Sequence, residues 1–86
     1  MIFNPTFING LYTIDLDLFK DERGWFARIY CKEEFKKIGH SKEWVQLNHS
    51  FTKHKGTIRG MHYQHPPYSE IKLVRCISGA VYDVAI

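Results

Sequence analysis

Tyr12, Ile14, Leu16 and Leu18 are apolar, and the residues between them, Thr13, Asp15 and Asp17, are polar. A period of two sends the apolar set to one face of an extended chain and the polar set to the other, which specifies a half-buried strand. The pattern returns in residues 44 to 51, with Val45, Leu47 and Phe51 on one side and Gln46, Asn48 and Ser50 on the other. Residues 25 to 30, 57 to 64, 71 to 78 and 80 to 86 read as further strands. Two Trp, five Tyr and six Phe suit this architecture, because aromatic side chains fill the faces of pleated sheets. The pattern therefore predicts an all-β fold with room for one small core, since so short a chain buries only about 60–65% of its unfolded surface.

Turn chemistry separates the strands. Lys20-Asp21-Glu22-Arg23-Gly24 divides the first from the second, which either pair as a hairpin or lie in neighbouring sheets. Consecutive prolines in His65-Pro66-Pro67-Tyr68-Ser69-Glu70 interrupt pairing between residues 57 to 64 and 71 to 78. Residues 32 to 38 form the one convincing helix, short and peripheral, with Phe35 and Ile38 on one face and Gly39 placed to end it. The chain stops at Ile86 inside its most strand-like run. An open apolar edge is a liability for a self-contained domain, so residues 1–86 are expected to be a truncated portion of a single domain.

Charge and cysteine content narrow the function classes. Twelve Lys and Arg against nine Asp and Glu leave a formal charge of +3, a mild excess that suits small anionic ligands and lacks the dense basic run of a nucleic-acid tail. No stretch approaches the roughly 20 apolar residues of a membrane span, and Met1-Ile2-Phe3-Asn4-Pro5 does not resemble a secretory signal. Cys31 and Cys76 are too few and too far apart for a zinc motif. These features predict a soluble cytoplasmic protein with reduced thiols.

Chemistry concentrates in Gly56-Thr57-Ile58-Arg59-Gly60-Met61-His62-Tyr63-Gln64 and the following Ile71-Lys72-Leu73-Val74-Arg75, which bring a cation for an anionic group, a possible base and an oxyanion partner close together in sequence. Arg59 and His62 are three apart, so an unbroken strand would send them to opposite faces; a bulge or irregular twist at Gly60 is expected to reset their directions. The amide-bearing face of Gln46 and Asn48 meets either solvent or a ligand. Tyr12, Trp25, Trp44 and Tyr82 are expected in a core or interface, and His40, His49, His54 and His65 in solvent, with His54 able to join Lys53 and Lys55 in a basic surface.

Four blocks, Asp21-Glu22-Arg23-Gly24-Trp25-Phe26, Gln46-Leu47-Asn48-His49-Ser50, Ile58-Arg59-Gly60-Met61-His62-Tyr63-Gln64 and Lys72-Leu73-Val74-Arg75-Cys76, resemble in order and spacing the N-terminal half of the dTDP-4-dehydrorhamnose 3,5-epimerase family. The resemblance implies a partial cupin-like double-stranded β-helix or jelly-roll barrel, and epimerisation of a nucleotide-linked 4-keto-6-deoxyhexose in deoxysugar synthesis without cofactor or metal. It implies His62 as the base and Lys72 as the cation facing the enolate. Arg23 and Arg59 become contacts to the diphosphate, and Phe26, Gln46 and Asn48 contacts to the nucleotide. A homodimer is implied as well. Asp83 is a possible orienting group for a histidine.

Arg28 departs from the family's acidic residue after Arg-Gly-x-Phe, and Glu70 from its glutamine. The acidic partner of the base and the tyrosine acid belong to the family's C-terminal half, so weak or absent turnover is expected of these residues alone. Two other readings remain open. One is a non-catalytic sugar-nucleotide binder or assembly subunit. The other, weaker, is a metal-binding cupin using His62, His65 and Glu70, which alternation disfavours because it puts Gln64, not His65, on the face of His62.

Overall fold

A computed structural model describes residues 1–86, which divide into two units, Met1–Leu47 and Asn48–Ile86. The regular structure is β hairpins with one short helix, all in the first unit. Strands β1 (Ile2–Pro5) and β2 (Tyr12–Asp15) pair antiparallel, as do β3 (Phe19–Asp21) and β4 (Gly24–Phe26); helix α1 (Lys32–Phe35) runs on into a 3-10 turn at Lys36–Ile38. Each sheet is two-stranded and open.

The first hairpin is fixed by its loop. Thr6 donates its amide to the Leu11 carbonyl at 3.1 Å and its hydroxyl to the same oxygen at 2.9 Å, while the Ile8 amide donates to Thr6 Oγ1 at 3.2 Å. This places Phe3 opposite Ile14 and Asn4 opposite Thr13. On the same face, Asn4 Nδ2 donates to Asp15 Oδ2 at 2.8 Å. Exposure alternates along β2 as the sequence predicts, with Tyr12 and Ile14 half-buried and Thr13 and Asp15 exposed. The partner strand β1 has no alternation long enough to read, and only the pairing reveals it.

In the second hairpin the turn is held by Asp21. Its Oδ1 accepts the Arg23 amide at 2.8 Å and its Oδ2 accepts the guanidinium Nη2 at 2.7 Å, so the carboxylate bonds both the backbone and the side chain of Arg23. Gly24, with φ of +139°, takes the backbone conformation that returns the chain into β4. Phe19 then faces Phe26 across the ladder, and Lys20 faces Trp25.

Helix α1 ends in a left-handed glycine cap. Gly39 has φ of +82°, its amide donates to Lys36 at 3.0 Å, and the His40 amide reaches back to the Phe35 carbonyl at 3.1 Å. The cap folds His40 onto Phe35, and the core of this unit forms there. Phe35, 2% exposed, meets Phe3 edge-on at 5.2 Å between ring centroids, Tyr30 at 4.9 Å, His40 at 5.9 Å and Trp44 at 6.4 Å. His40 lies stacked on Trp44 at 4.4 Å. Aromatic packing therefore joins the first hairpin to the helix.

Several expectations need correction. Residues 44 to 51, 57 to 64, 71 to 78 and 80 to 86 are not strands, and the strand expected over residues 25 to 30 is confined to Gly24–Phe26. Alternation assigns faces but supplies no hydrogen-bonding partner, and a strand exists only within a ladder. In the second unit the backbone makes local turns instead, with Thr57 donating to His54 at 3.3 Å and Tyr68 to His65 at 2.9 Å, and every residue is exposed. His40, expected in solvent, is 7% exposed because the glycine cap turns it inward. Trp44 joins the core, whereas Trp25 and Tyr82 are 58% and 95% exposed and fill no core in this chain.

Two outcomes follow from this packing. Phe35→Ala removes the ring shared by β1, α1 and Trp44, and is expected to destabilise the first unit by about 3–5 kcal/mol; thermal unfolding followed by aromatic circular dichroism should then show no cooperative transition for that unit. Asp21 is held below its ordinary value first by the Arg23 side chain and then by backbone hydrogen bonds. A depressed carboxylate contributes above its unfolded value and loses that contribution as pH falls through its folded value. The Arg23 amide resonance should therefore stay constant from neutral pH downward and shift with a midpoint below about 3.9; a midpoint at or above that value would contradict the turn described here.

Candidate functional site

On one side of the β3–β4 hairpin, exposed aromatic rings meet charged groups of the first unit. An open hollow of about 200 Å³ is lined by Met1, Asp17, Phe19, Phe26, Arg28 and Glu34. Phe19 and Phe26 are cross-strand partners and stay 67% and 71% exposed, so two aromatic rings stand on one hairpin without being used in the core. Aromatic faces left exposed in a hollow are a surface for a planar or apolar ligand group.

Charges surround these rings. Arg28 Nη1 donates to Glu34 Oε2 at 3.0 Å, and the Met1 ammonium lies 2.7 Å from Asp17 Oδ2 and 3.7 Å from Glu34 Oε1. The Arg28 hydrogen bond, ahead of the nearby ammonium, holds the Glu34 carboxyl below its usual range. Arg23 sits at the tip of the same hairpin, 86% exposed, with its guanidinium bonded to Asp21. That bond aims the fork and leaves further donors free, since a guanidinium carries five N–H groups.

Of the residues singled out from sequence, Arg23, Phe26 and Gln46 belong to the first unit, and Asn48, Arg59, His62, Lys72 and Asp83 to the second. Arg59 donates from Nη2 to the Phe51 carbonyl at 2.9 Å, closing residues 51–59 into a loop. Gly60 has φ of +125°, so the backbone is irregular where the sequence places an irregularity, although no ladder runs through it. The His62 side chain folds back over this glycine: a Cβ at position 60 would lie 3.9 Å from the His62 amide nitrogen and 4.0 Å from Nδ1. Beyond it, Ser69 Oγ donates to the Gln64 carbonyl at 3.2 Å and Gln64 Nε2 to Glu70 Oε1 at 3.4 Å, which fold the proline-containing loop on itself.

His62, Lys72 and Asp83 are exposed and not joined to one another by a hydrogen bond or ion pair. Nowhere do three His, Cys, Asp or Glu side chains gather with metal-ligand geometry. No helix is long and apolar enough to cross a membrane. Sequence reasoning missed Asp17, Phe19 and Glu34 as walls of the hollow. The signal for Phe19 was available, because reading Asp-Glu-Arg-Gly as a hairpin turn pairs it directly with Phe26.

Comparison with known proteins gives these residues a family context. The family model described as dTDP-4-dehydrorhamnose 3,5-epimerase matches residues 5–86. Among curated proteins, relatives of that name share 47% identity over 70 residues in Shigella flexneri, covering 80% of this chain and 38% of the relative, and 40% in Salmonella typhimurium, covering 100% and 47%. The relative of the same name in Escherichia coli is 39% identical, over 94% of this chain and 44% of its own length. The chain thus spans less than half the length of these curated relatives. No solved structure matches. The matched span includes the Arg23 hairpin, the Arg59 to Gln64 segment and Lys72, and the chain belongs to the dTDP-4-dehydrorhamnose 3,5-epimerase family.

Proposed function

We propose that this chain is the N-terminal portion of a single cupin-like domain that epimerises a nucleotide-linked 4-keto-6-deoxyhexose in deoxysugar synthesis, working in the cytoplasm as a homodimer. The observation that carries the reading is the family match over residues 5–86. Arg23 and Arg59 bind the diphosphate, for which a guanidinium provides paired charge-assisted hydrogen bonds. Phe26 meets the nucleotide, with Gln46 and Asn48 as its hydrogen-bonding partners.

His62 then acts as the base. A proton on carbon next to the C4 ketone is acidic only because its electron pair can move onto the ketone oxygen. The imidazole takes that proton, the carbonyl becomes an enolate, and the Lys72 ammonium faces the developing negative charge. Return of a proton to the opposite face of the same carbon regenerates the ketone with inverted configuration. Asp83 serves as an orienting group for a histidine. No electrons leave the substrate, so the step needs no redox partner.

One observation favours a second reading, that the 86 residues by themselves bind a sugar nucleotide without turning it over. The hollow and its charged rim are built, while His62 and Lys72 stand exposed and unconnected. A base open to water has no orienting partner and no preorganised donors opposite it, and loss of such a partner costs about 10²–10⁴ in rate.

Deuterium incorporation at C3 and C5 of a dTDP-linked 4-keto-6-deoxyhexose in heavy water tests both readings. The 86-residue chain is expected to exchange slowly or not at all. Joined to the C-terminal half of the Shigella flexneri relative, it should exchange about 10²–10⁴ faster, and His62→Ala in the joined protein should remove that gain. Equal exchange by His62→Ala and its parent would overturn the assignment of the base.

A further inference from the structure

The formal charge of +3 is not spread along the chain. Between Glu43 and Glu70 there is no carboxylate, while Lys53, Lys55 and Arg59 fall in that interval; the rest of the chain is balanced. These three cations lie in one loop. Arg59 Nη2 bonds the Phe51 carbonyl at 2.9 Å, and within the loop Thr57 donates both its hydroxyl, at 2.7 Å, and its amide to the His54 carbonyl. Gly56, with φ of +82°, completes that turn. Lys53, His54 and Lys55 are thereby held at the tip of a closed loop, exposed, and neither lysine has an acidic partner. By contrast, Arg23, Arg28 and Lys36 in the first unit are all paired with carboxylates.

We propose that loop 51–59 is a capture site for a diphosphate group, in which Lys53 and Lys55 draw the anion in and the oriented Arg59 fork receives it. The proposal rests on the epimerase reading for Arg59 and extends it to two lysines. Uncompensated cations raise the local concentration of an anion and speed its arrival, an effect that reaches about 8 Å at physiological salt and fades as salt rises. A diphosphate bridging two organic groups carries two negative charges, which matches a small cluster of this kind. Nucleic acid fits poorly, because tight non-specific binding draws on about 6–10 phosphate contacts.

Inorganic pyrophosphate titrated into the 86-residue chain, followed by the amide resonances of residues 53 to 59 in 20 mM and 300 mM salt, tests the site apart from any sugar chemistry. Lys53→Gln/Lys55→Gln is expected to weaken binding about tenfold at low salt and to flatten its salt dependence. Lys37→Gln/Lys42→Gln, which removes the same net charge away from both the loop and the hairpin, should change binding by less than about twofold. The proposal is overturned if pyrophosphate leaves these amides unmoved or if the two double variants weaken binding equally. A single-stranded oligonucleotide that binds there more tightly than pyrophosphate at equal phosphate concentration would also overturn it. Failure of deuterium exchange would remove the catalytic reading while a positive pyrophosphate result stood.

Discussion

The ring of Phe35 is the contact on which the first unit depends. Two-stranded hairpins of three or four residues are marginal alone in water, and neither sheet gains a third strand. Burying one phenylalanine contributes about 1.5–3 kcal/mol, and here a single ring meets Phe3 from β1 along with Tyr30, His40 and Trp44. The left-handed cap at Gly39 makes this possible by turning His40 back over the helix end. Packing so concentrated leaves Phe19 and Phe26 free to face outward.

Ion pairing organises the hairpin surface for the same reason that it contributes little to stability. Asp21 with Arg23 is an exposed pair, and Arg28 with the half-buried Glu34 a partly exposed one, both screened by salt. A guanidinium held by a carboxylate is aimed in advance, and its remaining N–H groups stay open to a further oxygen acceptor. The bond from Arg28 to Glu34 keeps a carboxylate beside the aromatic pair. The hollow therefore presents a donor and an acceptor next to each other.

Local features of this chain were legible in its sequence to the extent that their causes are local. The alternation from Tyr12 to Asp17 reappears as alternating exposure, the Asp21 to Gly24 turn folds a hairpin, and Gly39 ends the helix as its position implies. Pairing is a property of two segments, and periodicity describes one at a time. That is why β1 was missed and why residues 71 to 78, although strand-like, have no ladder. The burial of His40 was hidden for a related reason, since it follows from a cap geometry and the position of Trp44, not from the character of histidine. Of the residues that line the hollow, Phe26 lies in a block singled out from the sequence, and Arg23 of the same block sits at the hairpin tip. Their neighbours Asp17 and Glu34 come to the hollow only through tertiary contacts with Met1 and Arg28.

The central claim is that these residues recognise a nucleotide diphosphate. Its most direct measurement is a titration of the isotopically labelled 86-residue chain with dTDP, read residue by residue in amide and aromatic resonances. The account predicts saturable shifts of Phe19, Arg23 and Phe26 on the hairpin and of Arg59 in the second unit, with Lys37 and Lys42 unaffected. Saturable binding that leaves both the hairpin and Arg59 unmoved, or no binding at millimolar dTDP in low salt, would contradict it.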